Sequence, residues 1–155
     1  MLGYESERRL TALLVAIGDG ERDLEVARQR LCAIRDFAPH AAFERIDRDI
    51  SGSITSIEIL NFLRDNSVYH VAEPEAFNLV SFFDGDGNKR LTFQEFLQVF
   101  LPCEDNLLRN MTLDRPSRRV ARFEFLPRDI EIAMTTVIEK EIELQRKLEV
   151  LKRDL

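Results

Sequence analysis

Two twelve-residue stretches constrain this chain more than any other feature. DRDISGSITSIE runs from Asp47 to Glu58, and DGDGNKRLTFQE runs from Asp84 to Glu95. Both open on Asp, close on Glu and carry oxygen-bearing residues at positions 1, 3, 5 and 9. A hard cation such as Ca2+ takes about six to eight oxygen ligands at about 2.3–2.6 Å, and a loop of this length can present them from positions 1, 3, 5, 7, 9 and 12. The loops start 37 residues apart, which leaves room between them for one exit helix, a linker and one entry helix.

In the first loop Asp47, Asp49 and Ser51 supply side-chain oxygens and Ser53 its backbone carbonyl. Thr55 can hold a bridging water, and Glu58 can close the sphere with both carboxylate oxygens. The matching set in the second loop is Asp84, Asp86, Asn88, the carbonyl of Arg90, Thr92 and Glu95. Position 6 separates the two, with Gly52 in one and Lys89 in the other. The sharp turn there calls for left-handed backbone, which suits glycine and costs a residue with a Cβ about 1–2 kcal/mol. The expectation is therefore a lopsided pair, stronger at 47–58 and weaker at 84–95 because of Lys89. Ile54 and Leu91 sit at position 8, where the backbones of two paired loops form a short antiparallel strand.

Apolar residues flank both loops in matching register. Phe43 and Ile46 precede the first as Val80 and Phe83 precede the second, and Ile59 and Phe62 follow the first as Phe96 and Val99 follow the second. This spacing puts apolar side chains on the inner face of each entering and exiting helix. On these residues the segment 39–101 resembles the EF-hand superfamily typified by calmodulin and centrin. The resemblance implies a paired helix-loop-helix lobe that binds calcium through the two ligand sets named above. The wider layout, one hand pair between helical flanks, is more loosely similar to EF-hand proteins of ciliary, centriolar or cortical cytoskeletons.

The flanks read as helices. Residues 5–17 place Leu10, Leu13, Leu14 and Ile17 on one face, and Gly18-Asp19-Gly20 is expected to break that helix before a second one over 21–36. Arg8-Arg9 before an apolar run is reminiscent of a secretion signal, but Glu5 and Glu7 neutralise it, which favours an amphipathic helix. Pro102 stops the last exit helix, and 103–126 reads as irregular. From Pro127 and Asp129 a long helix runs to the C-terminus, about 43 Å if fully helical. In it Ile130, Met134, Val137, Leu144, Leu148, Leu151 and Leu155 form a 4-3 seam interrupted only by Glu141, the pattern of a coiled coil. Glu143 with Lys147 and Glu149 with Arg153 are i,i+4 pairs in the favourable order. The expected fold is all-α: a helical arm over 1–38, a paired lobe over 39–102, a basic linker over 103–126 and a C-terminal helix over 127–155.

Composition narrows the function. A net charge of −6 argues against general nucleic-acid affinity, and no apolar stretch is long enough to span a bilayer. Cys32 and Cys103 are too few for a disulfide framework, which points to reduced, mostly buried thiols in an intracellular protein, cytoplasmic or cytoskeletal, with cilium or cortex among the settings. No nucleophile motif or phosphate-binding glycine loop is present, so no enzyme activity is expected. Around the linker Arg109, Arg115, Arg118, Arg119, Arg122 and Arg128 face only Asp114 and Glu124. Arg115, Arg118, Arg119 and Arg122 either fold back on the acidic lobe or dock an acidic partner. The C-terminal seam packs either on the lobe or, as favoured, on another helix, from a second copy or another protein. The expected function is a calcium-binding sensor or adaptor in a larger, cytoskeletal assembly. The alternative is a structural coiled-coil protein whose hand pair is calcium-indifferent.

Overall fold

The computed structural model describes residues 3–154, and these are all-helical apart from turns and one isolated backbone bridge. Seven helices follow one another: α1 Tyr4–Ala33, α2 Pro39–Ile46, α3 Ser56–Asp65, α4 Glu73–Phe83, α5 Phe93–Phe100, α6 Asn106–Leu113 and α7 Arg128–Asp154. No helix among the described residues is long and apolar enough to cross a membrane.

The N-terminal arm differs from its expected form. α1 runs unbroken through Gly18-Asp19-Gly20. Each glycine costs a helix about 1 kcal/mol relative to alanine. That penalty is outweighed by tertiary packing, because Ile17, Leu24, Ala27 and Leu31 are buried in one core with Ile130, Met134, Val137 and Leu144 of α7. Burying a large aliphatic side chain contributes about 1.5–3 kcal/mol. Gly20 also serves a close approach, since a Cβ there would lie 3.3 Å from both Leu144 Cδ1 and Lys147 Nζ. Gly18 has no such duty; its Cβ would meet only Arg22 Nη1 at 3.8 Å. Gly18→Ala is therefore expected to stabilise the fold by up to about 1 kcal/mol, read as a rise of about 2–4 °C in thermal unfolding.

α7 lies antiparallel on α1. Arg9 pairs with Asp154 at 2.9 Å, Lys147 Nζ donates to the Ala16 carbonyl at 3.3 Å, and Arg28 pairs with Glu141 at 3.3 Å. The heptad seam is thus covered within the chain, contrary to the intermolecular packing favoured from its sequence. Ile130, Met134, Val137 and Leu144 are buried, and Leu148 and Leu151 are partly so. Leu155, the last seam position, lies outside the described residues. Glu141 interrupts the seam because it has a partner: Arg28 reaches it while donating from Nε to the Val99 carbonyl at 2.9 Å. Burial pushes the Glu141 carboxyl above its ordinary range, and Arg28 pulls part of the way back. The expected i,i+4 pairs do not form; Glu143 pairs with Lys140, and Glu149 with Lys152.

The linker also holds more structure than its sequence suggests. Asp105 accepts from the Leu108 N–H at 2.9 Å and caps α6, whose Thr112 is fully buried. Ahead of it, Glu25 of α1 accepts from the N–H groups of Cys103 and Glu104 at 2.8 and 3.1 Å. Arg115 closes the end of α1, donating to the carbonyls of Cys32, Ile34 and Phe37 at 2.7–3.0 Å. Those carbonyls lie where a helix end leaves acceptors without intrahelical donors. Arg118 pairs with Glu124 at 2.7 Å, and Arg118, Arg119 and Arg122 are all exposed. Cys32 is buried and its thiol is pushed up to about 11 by desolvation, whereas Cys103 is exposed, so the expectation of mostly buried thiols holds for one of the two.

α2 to α5 form two helix-loop-helix units whose inner faces share the core. Ile46, Ile59, Phe62, Val80, Phe96 and Val99 are all at most 1% exposed. Phe43 meets Phe93 and Phe96 edge-on, and His40, at the start of α2, stacks on Phe93 at 4.0 Å. One buried ionic knot ties this unit to α7. Arg45 of α2 pairs with Glu131 at 2.8 Å and with Asp65 at the end of α3 at 3.2 Å. Its guanidinium lies between the rings of Phe62 and Phe125, 4.9 and 4.2 Å from their centroids.

Candidate metal centre

The connections α2–α3 and α4–α5 hold the two acidic loops side by side. Ile54 and Leu91 exchange N–H···O bonds of 2.8 Å in both directions, as their shared position 8 anticipates. Both side chains are fully buried. The bridge fixes the loops in register; beyond it Asp49 and Asp86 are exposed, while Asp47 is buried.

In the first loop Asp47, Asp49 and Glu58 bring carboxylate oxygens within 4.8 Å of one another; Asp84, Asp86 and Glu95 do the same in the second. Two ligands on opposite sides of a Ca2+ ion stand about 4.6–5.2 Å apart, so this span fits such an ion. The surrounding donors are oxygens too: the Ser51 and Thr55 hydroxyls and Ser53 carbonyl in one loop, the Asn88 amide oxygen, Thr92 hydroxyl and Arg90 carbonyl in the other. An all-oxygen set of this kind suits a hard divalent cation rather than zinc or copper.

Local hydrogen bonds aim the carboxylates. Thr55 and Glu58 form a capping box at the start of α3, as Thr92 and Glu95 do for α5. Glu58 Oε1 accepts from the Thr55 N–H at 3.0 Å and Oε2 from the Asp49 N–H at 3.3 Å, which draws the closing residue over the opening of its loop. Glu95 bridges the second loop likewise, from Thr92 at 2.9 Å to Gly85 at 2.5 Å. Asp47 accepts from Ser51 and Gly52, and Asp84 from Gly87 and Lys89. Burial, with Asp49 and Asp47 close by, pushes the Glu58 carboxyl up. Asp49 is held down, chiefly by the Ser51 hydroxyl. Asp86 is pushed up by sharing a hydrogen bond with Asp84.

The backbone changes the expected ranking of the loops. Positions 4 and 6 are left-handed in both: Ile50 and Gly52 have φ of 54° and 86°, Gly87 and Lys89 of 77° and 61°. Each loop therefore has one glycine and one residue with a Cβ at these positions, in swapped order. Lys89 is strained as its sequence position predicts, but so is Ile50, and β-branched residues are the least suited to positive φ. Protein hydrogen bonds hold both turns, Gly52 N–H to Asp47 at 2.9 Å and Lys89 N–H to Asp84 at 2.6 Å. The strain is thus a property of the folded loops and weighs on stability more than on ion affinity. Ile50→Gly and Lys89→Gly each relieve about 1–2 kcal/mol of strain and lose about 0.5–1 kcal/mol to the greater freedom of glycine in the unfolded chain. Each is expected to raise the unfolding temperature in EDTA by a few degrees, with calcium affinity changed less than about twofold.

One contact in the site has no signal in the sequence. The Arg90 side chain crosses from the second loop to the first, with Nε 2.5 Å from Ser53 Oγ, Nη2 2.9 Å from Ser51 Oγ and Nη2 4.0 Å from Asp49. Position 7 is read for its carbonyl, and only the paired register shows where its side chain goes. Lys89 Nζ turns away, 5.7 Å from the centre of the Phe77 ring.

Comparison of the chain with protein-family models, with curated proteins and with solved structures gives no match.

Proposed function

We propose that this chain is a calcium-binding protein of the EF-hand type, with one ion site in each acidic loop. Asp47, Asp49, Ser51, Thr55 and Glu58, with the Ser53 carbonyl, would hold one ion. Asp84, Asp86, Asn88, Thr92 and Glu95, with the Arg90 carbonyl, would hold the other. The observation that carries the reading is the repetition: two carboxylate triads of the same span, each closed by a capping-box Glu and set in register by the Ile54–Leu91 bridge. A bound cation would offset the mutual repulsion of each triad and stabilise the folded loops by mass action. The two thiols, unpaired although Cys103 is exposed, favour a reducing, intracellular setting.

The knot at Arg45 gives loop one a route to the rest of the molecule, because it joins both helices flanking that loop to α7. In this reading α7 serves as a strut of the lobe, and attachment to a larger assembly falls to surfaces other than the buried stretch of its seam, Ile130 to Leu144. A second reading, a structural protein indifferent to calcium, draws on the hydrogen bonds by which the loops hold their own turns. Calorimetric titration with Ca2+ separates the two. Two ions per chain are expected; no heat of binding would leave only the structural reading.

A further inference from the structure

We propose that Arg90 is a tethered cation of loop two that competes with Ca2+ for Ser51 and so sets the affinity of loop one, an inference that rests on the calcium reading of both loops. Position 7 contributes only a backbone carbonyl to its own loop, so the Arg90 side chain has no ligand duty there. The Ile54–Leu91 bridge adjoins it in sequence and brings its guanidinium across to the hydroxyl side of loop one.

The accounting at Ser51 is the core of the inference. A serine hydroxyl has one hydrogen and two acceptor sites. The hydrogen is directed to the Ser53 carbonyl at 2.8 Å or to Asp47 at 3.2 Å. Arg90 Nη2 takes one acceptor site at 2.9 Å, and the Ser53 N–H approaches the other at 3.4 Å. An ion coordinated by Ser51 Oγ must displace one of these donors, and Arg90 is the one free to leave. The guanidinium also stands 4.0 Å from Asp49, so an arriving cation meets a like charge beside the carboxylate it needs.

The arrangement is one-sided. Ser53, the position-7 counterpart in loop one, is too short to reach back. Among the described residues, no guanidinium or ammonium is bonded to the side chains of Asp84, Asp86, Asn88 or Glu95. Loop one, with the glycine at position 6, is therefore restrained by its neighbour, while loop two is not. The Arg90 side chain is 36% exposed, so its removal leaves the core intact.

The test compares wild type, Arg90→Ala and Arg90→Lys in calcium titrations followed by amide resonances, Ser51 and Gly52 for loop one and Gly87 and Lys89 for loop two. Arg90→Ala is expected to tighten loop one about 3- to 30-fold and leave loop two within about twofold, with unfolding in EDTA shifted by no more than a few degrees. Arg90→Lys keeps the charge and loses the planar fork that reaches both serines, and most of the gain should remain. An unchanged or weakened loop one in Arg90→Ala overturns the inference. So does an equal gain in both loops, or a lysine variant that behaves as wild type, since either would make net charge the cause. Wild type that binds no calcium at either loop removes the calcium reading itself, whereas normal wild-type binding with an inert Arg90→Ala removes only this inference.

Discussion

Arg45→Ala is expected to destabilise the protein by about 3–5 kcal/mol, the largest effect of any single substitution outside the apolar core. Arg45 is 2% exposed and Glu131 1% exposed. Truncation leaves Glu131 charged in the interior, with only the Asn66 side chain and the Leu126 N–H as donors, and removes a cation held between Phe62 and Phe125. For a chain of this size each kcal/mol moves the unfolding temperature by about 2–4 °C, so a fall of about 6–20 °C follows. The design of the knot gives a sharper control. Arg45 Nη1 is buried without a partner, so the pair itself is not fully compensated. Replacing both residues, as Arg45→Met with Glu131→Leu, removes both charges and should recover part of the loss, less the cost of leaving the Leu126 N–H without its acceptor. A loss below about 1 kcal/mol in Arg45→Ala would mean that the knot does not hold α2, α3 and α7 together.

Glu58→Gln is expected to weaken calcium binding in loop one at least about 100-fold. Changes in outer-shell groups alone typically cost about 10–100-fold, and this change removes a charged ligand from the ion itself. Loop two should keep its ion, so calorimetry would read one site where two are expected of wild type; Glu95→Gln should give the converse. Stability in EDTA separates this from a folding defect. Glutamine can still accept from the Thr55 N–H, and it removes a carboxylate whose neighbours and burial already disfavour its charge. The variant should thus unfold in EDTA at or slightly above the wild-type temperature. The same raised carboxyl gives a pH dependence. Protons compete with the ion at Glu58 above its ordinary pKa of 4.5, so loop-one affinity should decline as pH falls through that raised value.

The loops were legible because their information is local. The oxygen-bearing positions and the flanking apolar register follow from spacing within about fifteen residues, and the position-8 pair from the same register repeated 37 residues on. What the sequence concealed depends on contacts between distant segments. Gly18 and Gly20 look like a helix break until α7 is seen lying against α1 at Gly20. Glu141 looks like a defect in an intermolecular seam until Arg28 is found beside it. The left-handed backbone at Ile50 leaves no mark in its own residue type; Gly87, its counterpart at position 4, is the one hint in the sequence. The exposed Phe82 and the short α6 likewise carry no periodic signal long enough to place them.

The most direct test of calcium binding in the paired loops is a Ca2+ titration followed by amide NMR of the full chain. Gly52 and Lys89, whose N–H groups donate to Asp47 and Asp84, should shift strongly and saturate at two ions per chain. Shifts at Ile54 and Leu91 should follow across the bridge, and those at Arg45 and Glu131 should show whether the change reaches α7. A spectrum that stays unchanged at Gly52 and Lys89 in millimolar Ca2+ would contradict the proposed function outright.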